Sequence, residues 1–472
     1  MPEDKNGIEK ELTYSPTSVW DDSDKKTVKK IFTFNKDYSE FISRSKNERE
    51  FVEMAENLLK EKGFKPISDL NKLKTGDRVY RINRNKCMAI AIIGKKDITE
   101  GCNILASHID SPRIDLKARP LYEDKEANMA VMKTHYYGGI KKYQWVNTPL
   151  AIHGIVIKED GESVELNIGE AKDDPVFVVS DLLPHLSRNQ QGERKMRDVI
   201  KGEELNILMG GIPIDDEDVK EKLKLNVLKI LNDTYGMKEE DFVSAELELV
   251  PAGNARDVGI DKSMLGAYGH DDKVCGYTSM MAGIDIKNPS KTGIIVLYDK
   301  EEIGSVGNTA AGSTFLESFM CDLISKINKD YTNEDRRKMI EASRAISGDV
   351  SAGVNPSFKG VHEMMNAAKL GYGIVVTKFT GSGGKYSAND AHAEYMGFIR
   401  RLFNKNKIKW QPCELGKVDE GGGGTVAKFL ANLNMDIVDA GPALVGMHSP
   451  FEIASKADIY ETYRAYKVFL ES

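Results

Sequence analysis

Several apolar runs in this chain end abruptly in side chains that are unfavourable to bury. NILASHIDSP, residues 103–112, delivers His108 and Asp110, and TGIIVLYDKEE, residues 292–302, delivers Glu301 and Glu302. Asp271 and Asp272 open a helix-like stretch, Asp349 follows AISG, and His448 follows GPALVGM. A run without polar alternation reads as a strand covered on both faces. Sheets of that kind collect ligands at the carboxyl ends of their strands. Imidazoles and carboxylates gathered at one such edge repel and desolvate each other unless a cation holds them. Two histidines and three or four carboxylates form a donor set for two divalent, zinc-like ions bridged by one carboxylate. Asp110, two residues beyond His108, is placed to orient that imidazole.

Each residue taken singly has a plainer reading. An Asp-Asp pair is ordinary at a helix N-terminus, Glu-Glu after a strand is ordinary surface, and His448 alone is an ordinary loop histidine. Their recurrence in one structural position is what points to a metal centre. His135, His153, His270, His362 and His392 lack a local carboxylate pattern and read as structural. Rival signatures are absent: HEMMN at His362 lacks a second histidine, and neither a G-x-S-x-G elbow nor a phosphate loop occurs. Gly421 to Gly424 before a helix reads as an anion-cradling loop or as the floor of a substrate cleft.

A chain of 472 residues exceeds one compact core. Residues 1–44 read as an arm ordered by docking on another subunit. A helix follows, with a capping box from Ser45 to Glu48 and Gly63 at its end, and then a hairpin turning near Asn83 to Asn85. From about Pro120 to Leu247 alternating patterns and charge-rich stretches indicate an inserted, mainly antiparallel β domain. α/β texture then resumes and closes with a helix capped by Ser449 and Glu452. The expected division is a catalytic α/β domain from 1–118 and 248–472, interrupted by an insert over 119–247.

The net charge of -7 argues against a nucleic-acid or anionic-membrane partner. Five scattered cysteines, odd in number and never in a C-x-x-C pair, indicate reduced thiols. No apolar run is long enough for a span or a leader, so a cytoplasmic location is expected.

SHIDSPR, GHDDKVCGYTS, YDKEEIGS, SGDVSAGVNPSF and GMHSPFE, in this order and spacing, resemble the motifs of the M18 (aspartyl aminopeptidase-like) metallopeptidases from about residue 75 onward. The resemblance implies a three-layer α/β/α di-zinc peptidase domain with an inserted dimerisation domain. It also implies a homo-oligomer, a dodecamer built from dimers, acting on peptides with a free N-terminus. Carried over by motif, His108 and Asp349 would hold one Zn2+, and Glu302 and His448 the other. Asp271 would bridge the two ions, while Asp272 is disfavoured because family members often keep only the first acid of that pair. Co2+ or Mn2+ would suit the same donors. Glu301 would be the general base and Asp110 the residue orienting His108. His185, in HLSRN, would reach a neighbouring subunit's site and stabilise the oxyanion.

Gly383 stands where acid-selective members tend to carry a lysine, and Lys385 aligns elsewhere, which implies neutral or broad specificity. Two other readings are a metal-dependent amidohydrolase or carboxypeptidase on the same scaffold, and a catalytically silent assembly shell. The lack of an arginine cluster weighs against the first, and the intact ligand and base set against the second.

Overall fold

The structure, a computed structural model, describes residues 5–472. A nine-stranded mixed sheet forms its centre. Four consecutive strands of that sheet are mutually parallel: Gly293–Tyr298, Asn103–His108, Arg344–Gly348 and Asp436–Gly441. The hairpin Arg78–Asn83 and Cys87–Ile92 joins one flank antiparallel, with Arg84 and Asn85 at positive φ in its turn.

The period of two along these strands explains their unbroken apolarity. Ile104, Ala106, Ile294 and Val296 face one core with Phe315, Phe319 and Leu323. Leu105, Ile295 and Leu297 face the opposite core with Phe51, Val274 and Tyr466. Helices thus cover both faces, and the mixed α/β sandwich follows.

A second sheet of six strands, antiparallel throughout, lies between Arg113 and Pro251. It packs its own core, including Trp145, Leu150, Leu205 and Leu249, beneath the helix Lys222–Tyr235. Its first and last strands along the chain, Arg113–Asp124 and Ala245–Pro251, lie side by side in the middle of the sheet and extend beyond the 119–247 limits, because the ladder pairs Ile114 with Leu249.

A third sheet is invisible in the sequence pattern. Its five short strands are Arg256–Val258, Met264–Ala267, Glu452–Ser455, Ala443–Val445 and Ser351–Ala352. Each is too brief to show a period, yet together they tie down the loops that follow the central strands.

The structure corrects three expectations. The helix Lys25–Arg44 packs within its own subunit, on His270–Asp285 and Lys456–Leu470, with Ile31 and Tyr38 fully buried. Tyr38 Oη lies 2.9 Å from His270 Nδ1, so no second subunit is needed to order this part of the arm; residues 1–4 lie outside the described residues. The next helix, Glu48–Glu61, is capped by Asn47 in a capping box with Glu50, while Ser45 ends the preceding helix. The final helix begins at Lys456 behind Ser455. Glu452 lies in a strand before it, where its carboxylate serves a different purpose.

Candidate metal centre

All four parallel strands point their carboxyl ends at one edge of the sheet. His108 is the last residue of its strand and pairs in register with Tyr298. Beyond Tyr298 the chain turns through Lys300 at φ 67° into a short 3-10 turn that presents Glu301 and Glu302. Asp349 follows Gly348 directly, and His448 follows Ala443–Val445 of the third sheet. Asp271 stands at the start of the helix His270–Asp285, where both acids depart from helical dihedral angles.

These side chains converge. His108 Nε2 lies 3.3 Å from Asp271 Oδ1, and His448 Nε2 lies 3.1 Å from Asp271 Oδ2. His448 Nε2 is also 3.4 Å from Glu302 Oε1. Asp271 therefore offers a different oxygen to each histidine. The opposite ring nitrogens are engaged elsewhere: His108 Nδ1 faces the Asp110 carbonyl at 3.2 Å and its Oδ1 at 3.3 Å. His448 Nδ1 faces the Gly139 carbonyl at 3.0 Å. A proton on each Nδ1 satisfies these acceptors and leaves each Nε2 lone pair directed at the carboxylates.

Donor atoms of His108, Asp271 and Glu302 lie within 4.8 Å of one another, as do those of His108, Asp272 and Asp349. Glu302 Oε1 and both oxygens of Asp272 are buried without a hydrogen-bond partner. Burial and the charge of Asp271 push the Glu302 carboxyl well above the ordinary range. Burial and Asp272 do the same to Asp349. Zinc binds nitrogen and oxygen at about 2.0–2.2 Å, which places donors on one ion roughly 3 Å apart. The spacing and the orphaned oxygens both fit a divalent, zinc-like cation.

Glu301 stands slightly apart, its Oε2 4.0 Å from His108 Nε2. Burial pushes its carboxyl up to about 7 against the lowering effect of His108. Asp110 Oδ1 accepts the Glu301 main-chain N–H at 3.1 Å, and Oδ2 accepts that of Glu302 at 3.2 Å. Glu452, fully buried, accepts the N–H of Asp271 at 3.0 Å and of His448 at 2.7 Å.

The cluster opens into a cleft of about 420 Å³, lined also by Thr377, Leu415, Phe429, Met447 and the basic Lys428. Gly422 to Gly424 form part of its wall. A Cβ on Gly422, at φ 132°, would sit 1.9 Å from the Gly381 carbonyl, so the glycines allow main chain to pack on main chain. That fits a cleft floor rather than a phosphate loop. Lys385 is turned to Asp390 at 2.9 Å, and neither it nor Gly383 lines the cleft. His185 is exposed on the short helix Pro184–Gln190 and lies outside the cleft of its own chain.

A family model described as Aminopeptidase I zinc metalloprotease (M18) matches residues 41–470. The chain belongs to the M18 family. A probable M18 family aminopeptidase 1 of Borrelia garinii is 51% identical over 93% of this chain and 96% of its own length. The crystal structure of an M18 aminopeptidase from Thermotoga maritima superposes with a TM-score of 0.93 at 46% identity, covering 97% of this chain and all of that one. The S. cerevisiae mApe1 dodecamer, at 20% identity and a TM-score of 0.73, shares the fold. Membership in M18 makes the chain a zinc metallo-aminopeptidase by family and does not favour the amidohydrolase or silent-shell readings.

Sequence reasoning missed three contributors to this M18 centre. Glu452 was expected to cap a helix, Gly139 lies in an undistinguished loop, and Tyr137, whose Oη donates to Asp110 Oδ2 at 2.7 Å, is one of several tyrosines in the second sheet. Only the spacing of Glu452, four residues beyond His448, offered a signal.

Proposed function

We propose that the chain removes N-terminal residues from peptides at two divalent ions that share the Asp271 carboxylate. His108 and Asp349 would hold one ion, and Glu302 and His448 the other. The observation that carries this reading is the division of Asp271, one oxygen toward each histidine at 3.3 and 3.1 Å. Bound zinc would supply Lewis acidity to an attacking water and to the scissile carbonyl.

Glu301 performs the proton transfers. Its carboxylate stands at the margin of the cluster, near enough to take a proton from the attacking water and to return it to the departing amine. Asp110 fixes where that carboxylate sits through the Glu301 N–H. Leu415, Phe429 and Met447 around the cleft suit neutral side chains while Lys428 offers a partner to an acidic one, which supports broad specificity. The exposed apolar side chains of Leu182, Leu183 and Leu186, flanking His185, support a subunit contact there. Dimers joined through the second sheet and assembled into a dodecamer would then carry His185 to a neighbour's cleft.

The test is hydrolysis of free and N-blocked peptides by the intact protein, with and without a chelator. Free peptides should lose one residue at a time, and chelation should stop the reaction. Equal cleavage of N-blocked peptides would overturn the proposal.

A further inference from the structure

The strand Met129–Tyr137 of the second sheet ends against the metal centre, and its last residues touch the supports of both histidines. Tyr137 Oη donates to Asp110 Oδ2 at 2.7 Å. Asp110 in turn faces His108 Nδ1 and accepts the main-chain N–H groups of Glu301 and Glu302. Two residues on, the Gly139 carbonyl accepts from His448 Nδ1 at 3.0 Å. A Cβ on Gly138 would press on Glu302 Cβ at 3.3 Å, and one on Gly139 would lie 3.3 Å from His448 Nδ1. The two glycines therefore let this chain end lie directly against the donors.

The Tyr137 ring is held in turn. Arg113 places its guanidinium 4.0 Å over the ring and is itself fixed by Glu48, Asp115 and Glu248 at 3.3, 2.9 and 3.0 Å. A phenol ring packed against a cation in this way has little freedom to swing away from Asp110. A hydrogen bond from a neutral donor to a buried carboxylate keeps that carboxylate oriented without neutralising it.

We infer that Tyr137 and Gly139 are positioning residues through which the second sheet sets both histidine ligands and the Glu301 general base. This rests on the two-ion reading above. Tyr137 acts through Asp110 on His108 and on the Glu301–Glu302 turn, and Gly139 acts through its carbonyl on His448. The inserted sheet thereby contributes to the chemistry of its own subunit, independently of any role in assembly. Groups that orient metal-bound histidines typically change metal affinity or activity 10–100-fold when removed.

Tyr137→Phe in the full-length protein is the direct test, with Tyr136→Phe, a partly exposed neighbour, as the control. Zinc affinity of the apoprotein is read by chelator competition, kcat and KM separately at saturating zinc, and apoprotein melting temperature as the measure of folding. The expected result is zinc affinity weakened about tenfold or more, kcat reduced with KM nearly unchanged, and a melting temperature close to wild type. Tyr136→Phe should match wild type throughout.

Wild-type zinc affinity and kcat in a folded Tyr137→Phe protein would overturn the inference, as would a loss confined to melting temperature. Should Tyr137→Phe fail to fold, Gly139→Ala carries the test: crowding His448 should weaken zinc binding, and unchanged affinity would overturn the inference. His108→Ala separates this from the underlying reading. If it lowers the zinc bound per chain while Tyr137→Phe does nothing, only the inference falls. If it leaves zinc binding intact, the metal site itself was misassigned and the inference falls with it.

Discussion

Asp110 accepts the main-chain N–H of Glu301 at 3.1 Å. The carboxylate that faces His108 Nδ1 thus also anchors the residue proposed as the general base. On the proposed roles, His108 and Glu301 share one support, so a disturbance at Asp110 should affect both metal binding and proton transfer.

Glu301→Gln keeps the shape of the side chain and its main-chain anchor but removes the proton acceptor. General-base catalysis contributes about 10²–10⁴-fold. kcat should fall by that order while the metal content, measured by elemental analysis, stays at the wild-type value.

Asp271 and His448 should differ in what their loss does to metal content. Asp271→Ala removes a donor facing both histidines, whereas His448→Ala removes a donor from one side only. After dialysis against limiting zinc, Asp271→Ala should retain less zinc per chain than His448→Ala. Equal retention would argue against a shared carboxylate.

Arg113 is buried among Glu48, Asp115 and Glu248 at the junction of the helix Glu48–Glu61 and the second sheet. Removing one partner of a buried charge network leaves the others uncompensated, which costs about 3–5 kcal/mol. Arg113→Met should lower the midpoint of urea denaturation accordingly.

His153 lies between Glu50 at 2.6 Å and Glu170 at 3.2 Å, joining the helix Glu48–Glu61 to the second sheet. Burial alone would lower its pKa, but the two carboxylates outweigh it and raise it to about 9. Because the folded value exceeds the unfolded one, the stabilisation is full below about pH 6.5 and is lost as pH rises through about 9. The melting-temperature gap between wild type and His153→Gln should be widest below pH 6.5 and close above pH 9.

His185 sits away from the cleft of its own chain. If it serves a neighbour, oligomers mixing His185→Ala with Glu301→Gln subunits should recover part of the activity that each variant lacks alone. Verified mixed oligomers without recovery would remove His185 from the mechanism.

What the sequence revealed follows from range. The apolar strands were legible because burial on both faces leaves no polar alternation, and their abrupt ends marked His108, Glu301, Glu302, Asp349 and His448. The third sheet was not legible, since strands such as Ser351–Ala352 are two residues long and pair only with segments far along the chain. Glu452 was misread for a related reason: its sequence neighbours suit a helix cap, while its partners, Asp271 and His448 N–H, are fixed by tertiary structure. Asp299, two residues before Glu301, carries no signal of its role in the sequence. It proves to be buried, accepting from Thr309 at 2.7 Å with Lys86 at 3.9 Å, and so braces the turn that carries the two glutamates.

The four parallel strands that carry the donors also order events during folding. His108 and Tyr298 are register partners although the whole of the second sheet is threaded between them in the chain. The second sheet has a core of its own and contains two local hairpins, whereas the central ladder pairs Arg344–Gly348 with both Asn103–His108 and Asp436–Gly441. Long-range pairings of this kind form slowly. If these residues hold metal as proposed, capture by the full donor set would be a late event, because its members come from strands far apart in the chain.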